Sequence, residues 1–168
     1  MVLAELVAET LGFLRNQRGP EIAVHRAIPP DLCLAVDRPR LQQALINLIG
    51  NALEAMGPRG ELTISAHGGL ARLTSQEAGD TFTPDTPVVD ILIEDTGPGI
   101  PAHLLSRIFD PFFTTKAVGQ GSGLGLFIVH QIVEEHGGWI GASNRDGGGA
   151  RFHLRLPDRL PSPAGDQP

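Results

Sequence analysis

Three stretches of the chain place apolar side chains at helical spacing. Residues 2–15 carry Leu3, Leu6, Val7, Leu11 and Leu14 on one stripe. The stretch "LQQALINLIGNALEAM" gathers Leu41, Ala44, Leu45, Leu48, Ile49, Ala52, Leu53 and Met56 on one broad arc. Asp37 caps it, Pro39 sits in its first turn and Gly57-Pro58 ends it, which predicts a helix over about 38–56. Residues 122–136 predict another helix, stopped by Gly137-Gly138. The remaining order reads as strands. "EIAVHRAI" and "CLAVD" form a pair joined by Pro29-Pro30, and "ELTISAHG" alternates Leu62, Ile64 and Ala66 with polar residues. "VVDILIED" is nearly continuous apolar, as a central strand requires, and "WIGASN" and "ARFHLRLP" follow the last helix. Residues 68–87 and 97–121 carry no long periodic element, and the tail from 158 is Pro-rich and polar, hence expected to be disordered. Short links between neighbouring strands favour antiparallel pairing, so the expected fold is α/β: one mixed sheet with helices on one face.

Composition narrows what such a fold does. At 168 residues and 41% apolar, the chain suits one domain with one sizeable core. A net charge of −6 and a pI near 5.4 argue against a nucleic-acid or anionic-membrane surface, but not against a local site for a small anion. Cys33 is the single cysteine, which excludes an internal disulfide, fits a reducing compartment and reads as core filling. No apolar run approaches the ~18 residues of a membrane span. The N-terminus lacks the basic start and cleavage site of a signal peptide.

Four stretches carry chemistry. Asn47 and Asn51, one helical turn apart at the edge of the apolar arc, are poor mid-helix residues. They read either as a polar helix edge or as neutral oxygen ligands beside a cleft, of the kind Mg²⁺ accepts. "EDTGPGIP" puts Asp95 at the mouth of a buried strand, with Gly97 and Gly99 after it. It reads as an ordinary turn or as a carboxylate receiving an exocyclic amine, with a flat ring lying against backbone that has no Cβ. "GQGSGLGL" opens onto the last helix, either as a flexible link or as a phosphate cradle of free N–H groups. Its spacing is neither that of a P-loop nor that of a dinucleotide fingerprint. "IFDPFFTTK" crowds Phe109, Phe112 and Phe113 into a loop, expected to form a small satellite core, with Lys116 after them as surface charge or phosphate counter-charge.

In this order and spacing the four stretches resemble the N, G1, F and G2 boxes of the ATP-binding domain of sensor histidine kinases. "NLIGNALEAM", "DTGPGIP", "IFDPFFTTK" and "GSGLGLFIVHQIVEEHGG" look most like the nitrogen-regulation type, with a short lid. The resemblance covers roughly residues 20–157 and implies a two-layer α/β sandwich with a mixed, mostly antiparallel sheet, the Bergerat-type ATP-binding fold. By this similarity Asp95 receives the adenine amine, and Gly97, Gly99 and Ile100 shape the base pocket. Asn51 coordinates Mg²⁺, Asn47 supports the phosphates, and Lys116, Thr115, Gly121, Gly123, Leu124, Gly125 and Leu126 hold the β- and γ-phosphates. Asn47 and Lys116 are the implied catalytic residues, and residues 101–121 the lid. The implied reaction is transfer of the ATP γ-phosphoryl to a histidine on a separate dimerisation domain, with a response regulator downstream, in the cytoplasm.

None of His25, His67, His103, His130, His136 or His153 stands in the H-E-x-x-x-P context of the acceptor, so the chain resembles the catalytic half alone. Residues 1–18 are then expected to be a linker helix from the acceptor hairpin and 19–157 the catalytic domain. Two residues depart from the family pattern: Glu54, where many members carry Lys, and Ala150, where the final strand usually offers Thr or Ser. ATP hydrolases of the same superfamily usually carry Glu one turn before the metal Asn. Asn47 cannot take a proton, which disfavours water activation and, less firmly, serine phosphorylation. A nucleotide-sensing domain without transfer is the remaining alternative.

Overall fold

The computed structural model describes residues 1–71, 82–83, 85–115 and 122–158. Three helices, α1 (Leu3–Phe13), α2 (Arg38–Met56) and α3 (Gly125–Glu135), accompany five strands, β1 (Glu21–Ala27), β2 (Arg59–Leu70), β3 (Pro87–Asp95), β4 (Trp139–Asn144) and β5 (Ala150–Pro157). The strands form one sheet in the order β1-β2-β3-β5-β4. β1 runs parallel to β2, with α2 as the crossover, and every other pairing is antiparallel. The mixed, mostly antiparallel sheet is the one expected.

The helix ends follow local chemistry. The Asp37 side chain accepts the Arg40 N–H at 3.0 Å with Pro39 in the first turn of α2, and Gly57 closes the helix at φ +69°. Alternation then sends Leu62, Ile64, Ile91, Ile93, Phe152 and Leu154 to one face of the sheet, where they are buried under the helices. Burying each such side chain contributes about 1.5–3 kcal/mol. Along α2 the residues of the predicted arc, Leu41 to Met56, are all buried. Leu3, Leu6 and Val7 of α1 join the same core cluster, so the helix read from sequence as a linker lies within the packed unit.

Buried His136 ties the end of α3 to the start of α2. The Asp37 N–H reaches His136 Nε2 at 3.1 Å, so Nε2 is the bare nitrogen and Nδ1 carries the proton, donated to the Ile132 carbonyl at 2.6 Å. The open face of the sheet is polar. There Asp90, 5% exposed, accepts from His153 at 2.5 Å and from both nitrogens of an Arg155 fork at 2.7 and 3.2 Å. Burial pushes its carboxyl up, but the bonds and charges of His153 and Arg155 outweigh that and hold it down at about 2. Trp139 packs on the sheet, edge-on to His153 and against the small cluster of Ala71, Phe82 and Val88.

Three expectations change. "CLAVD" is no strand: Cys33 makes a single bridge to Val2 and is exposed, not core filling. Residues 32–34 instead secure the start of α1, where Leu3 N–H donates to the Leu32 carbonyl and Leu34 N–H to the Met1 carbonyl, both at 2.9 Å. The loop expected over 68–87 is shorter, because β2 runs to Leu70 and β3 begins at Pro87. The expected tail, apart from Asp158, and most of the expected insertion lie outside the described residues.

Candidate functional site

A cavity of about 620 Å³ opens where α2, the end of β3, the start of α3 and β5 meet. Such a volume suits a small-molecule ligand. Asn47, Asn51 and Glu54, successive on one edge of α2, form one wall. Asp95, Gly99 and Ile100 form a second, and Thr115, Gly123, Gly125 and Leu126 a third. Ala150 and Phe152 of β5 supply the remainder. Residues from four distant stretches therefore share one space. Gly97 and Leu124 adjoin the cavity without lining it, and Lys116 and Gly121 lie outside the described residues.

Asp95 is 3% exposed at the last position of β3. Its Oδ1 accepts the Gly97 N–H at 2.8 Å and the Ala150 N–H at 3.3 Å, which fixes the carboxylate plane. Gly97 thus positions Asp95 as well as easing the turn. Gly99 has φ +77°, and a Cβ there would stand 2.7 Å from Asn144 Oδ1. The Asn144 carboxamide accepts the Ile100 N–H at 2.7 Å and donates to the Ile100 carbonyl at 2.6 Å. Arg145 donates to the Asp95 carbonyl at 2.9 Å, and a Cβ on Gly149 would lie 1.9 Å from that same oxygen.

The β4–β5 turn is therefore a brace for the Asp95 loop. Sequence reasoning marked Ala150 for its missing hydroxyl and passed over Asn144, Arg145 and Gly149. The one signal was the unusual run of three glycines in "NRDGGGA", and only the pairing of β5 with β3 shows what that run lies against.

On the opposite wall, Asn47 Oδ1 lies 3.6 Å from where a Gly125 Cβ would stand, so the helix edge meets the N-terminal turn of α3. Among the described residues no hydrogen bond engages either carboxamide of Asn47 or Asn51. Gly123 takes φ +66°, and a Cβ there would be 2.5 Å from the Phe112 carbonyl carbon. The glycine stretch and the aromatic stretch thus touch. Phe109 and Phe113 pack on the main core, where a separate satellite core was expected, and Phe112 is exposed.

The sequence profile of the histidine kinase-, DNA gyrase B- and HSP90-like ATPases matches residues 36–160. Among curated relatives, the sensor histidine kinase ZraS of Escherichia coli O157:H7 is 43% identical over 147 residues, which are 88% of this chain and 26% of the relative. The sensory histidine kinase/phosphatase NtrB of Rhizobium leguminosarum bv. phaseoli is 40% identical over 133 residues, 77% of this chain and 32% of the relative. The chain thus spans about a quarter to a third of those proteins. Among solved structures, the catalytic domain of the histidine kinase ThkA superposes with a TM-score of 0.73 at 35% identity, over 94% of this chain and 93% of that one. With the profile matching most of its length and its fold shared with the ThkA catalytic domain, the chain belongs to the family of histidine kinase-, DNA gyrase B- and HSP90-like ATPases.

Proposed function

We propose that the cavity binds ATP with Mg²⁺, and that the chain is the catalytic domain of a cytoplasmic sensor kinase, passing the γ-phosphoryl group to a histidine of a separate domain. The observation that carries this reading is the convergence of the Asn47–Asn51 edge, Asp95 and the glycine-led start of α3 on one cavity. With Oδ1 committed to backbone donors, the second oxygen of Asp95 receives the adenine amine. Gly99 and Ile100, held by Asn144, present backbone to the ring. The phosphates lie toward α3, whose first turn offers unpaired N–H groups at Gly125 and Leu126 and a partial positive charge. Thr115, Lys116 and the N–H groups at Gly121 and Gly123 complete the phosphate contacts, with the Leu124 N–H joining them by exchanging its 3.3 Å bond to the Ser122 hydroxyl for a phosphate oxygen.

The fit to Mg²⁺ rests on the two carboxamides without protein partners. Among the described residues no cluster of three or more His, Cys, Asp or Glu is placed to hold a metal. A cation here takes Asn51 oxygen, ligand phosphate oxygens and water, the mixed shell that Mg²⁺ prefers. When bound it neutralises charge on the transferring phosphoryl group. Asn47 orients that group but cannot accept a proton, so water attack gains no general base from this position. The acceptor histidine comes from a separate domain and the response regulator from a separate protein; the histidine kinase ThkA has been solved in complex with the response regulator protein TrrA.

Label transfer tests the reading. The domain is incubated with γ-labelled ATP, Mg²⁺ and a histidine-bearing hairpin from a sensor kinase. Label on the hairpin supports the proposal. Nucleotide binding with no transfer identifies a sensor domain, and rapid release of free phosphate identifies a hydrolase.

A further inference from the structure

Most described arginines have an acidic partner. Arg38, Arg40, Arg107, Arg145, Arg151 and Arg155 each face a carboxylate within 4.0 Å. Arg15, Arg18, Arg26 and Arg59 do not. Three of these four line the same groove, a space of about 340 Å³ between α1, the turn after it and β1. Its floor is apolar, made by Leu11, Leu14, Val24 and Leu53, and no carboxylate lines it. It shares no lining residue with the cavity described above.

In a chain of net charge −6, three exposed guanidiniums gathered with no described carboxylate within 4.0 Å leave a local positive potential. Arg18 is held in place by its Nε, which donates to the Ile22 carbonyl at 2.8 Å. The α1 wall is low. Ala8 and Gly12 stand one turn apart, and a Cβ on Gly12 would meet nothing within 4 Å. Two small residues on one helix face let a second helix come close.

We propose that this groove docks an acidic amphipathic helix of a partner protein. Such a helix sets two or three apolar side chains on the Leu11–Val24 floor, along the lane left by Ala8 and Gly12. Its flanking carboxylates meet Arg15 and Arg26, each able to hold one by two parallel bonds, and the outer N–H groups that Arg18 leaves free beyond its bonds to the Ile22 carbonyl. A nucleic acid fits less well, because the floor is apolar and narrow and the chain as a whole repels phosphate.

The probe is a fluorescein-labelled helical peptide of about 14 residues, long enough for a few turns, with leucines on one stripe and glutamates beside it. Its control replaces every Glu with Gln. Anisotropy should show saturable binding that weakens with salt, and at least about tenfold weaker binding of the Gln peptide. Arg15→Glu with Arg26→Glu should lose about tenfold or more, and so should Gly12→Phe, which fills the lane without touching any charge. Phe is a better helix former than Gly, so this variant keeps its fold. Arg59→Glu, outside the groove, should bind as the parent does. The proposal is overturned by absent saturable binding, by equal binding of the Gln peptide, by an equal loss in Arg59→Glu, or by displacement of the peptide by single-stranded RNA at equal concentration. ADP affinity is measured on every variant and should stay unchanged. If the parent itself fails to bind ADP, the nucleotide reading falls while the peptide result stands.

Discussion

Changing Asp95 to Asn alters one atom and reverses one hydrogen-bonding role. In the parent, Oδ1 takes two backbone N–H groups, at 2.8 and 3.3 Å, so an Asn must keep its carbonyl oxygen there to avoid facing donor against donor. Its NH₂ then occupies the place of the second oxygen, where the ligand's amine also donates. The loss is a charge-assisted bond, about 1.5–3 kcal/mol, with a buried donor left unsatisfied. ADP affinity should fall about 10- to 150-fold. Because the two backbone bonds survive, the urea midpoint should hardly move. The same argument gives a gain elsewhere. IDP carries a carbonyl where ADP carries the amine, so Asp95→Asn should bind IDP more tightly than the parent does. Titration calorimetry with both nucleotides on both proteins measures the four affinities. An unchanged ADP affinity, or equal losses for ADP and IDP, would refute the assignment of Asp95 to the base.

Asn51→Ala should bind ADP with the same affinity with and without Mg²⁺, measured by calorimetry; retained magnesium dependence would remove Asn51 as the ligand. Gly149→Ala meets the Asp95 carbonyl at 1.9 Å at a φ of +95°, so it should both lower the thermal midpoint and weaken ADP binding, while Gly148→Ala, at φ +92° with open space around it, should affect stability alone. Asp90 is held at about 2 against 3.8 for the free group, so its ionised form contributes stability that is complete above pH ~4 and lost as pH falls through ~2. Urea unfolding between pH 5 and 2 should therefore show about 2 kcal/mol of pH-dependent stability in the parent that Asp90→Asn lacks.

The helices were legible because their patterns are local. The arc of α2, its Asp37 cap and its Gly57 stop are each set within a few residues, and the structure repeats them. Asn47, Asn51 and Asp95 were legible for a related reason: a polar residue beside an apolar face is costly unless something uses it. The hairpin expected before α2 failed because strand partnering is non-local. "CLAVD" has the composition of a strand, but its backbone bonds to the start of α1 and leaves the outer edge of β1 open. Asn144, Arg145 and Gly149 were missed for the same cause, since their roles exist only once β5 lies beside β3. Phe112 shows the limit of composition: three Phe residues in five positions suggested one cluster, and the chain turns one of them outward.

The brace on Asp95 has a consequence for the order in which the protein assembles. Ala150, Arg145 and Asn144 reach back about fifty positions to seat residues of the β3 exit. The Asp95 wall of the cavity is thus unfinished until the final hairpin has docked, however well α2 and β3 are formed. Nucleotide, by selecting the finished pocket, should pull that hairpin into its most protected state. Amide hydrogens at Ile100 and Ala150 should then slow together on ligand addition, while those along the free edge of β1 exchange as before.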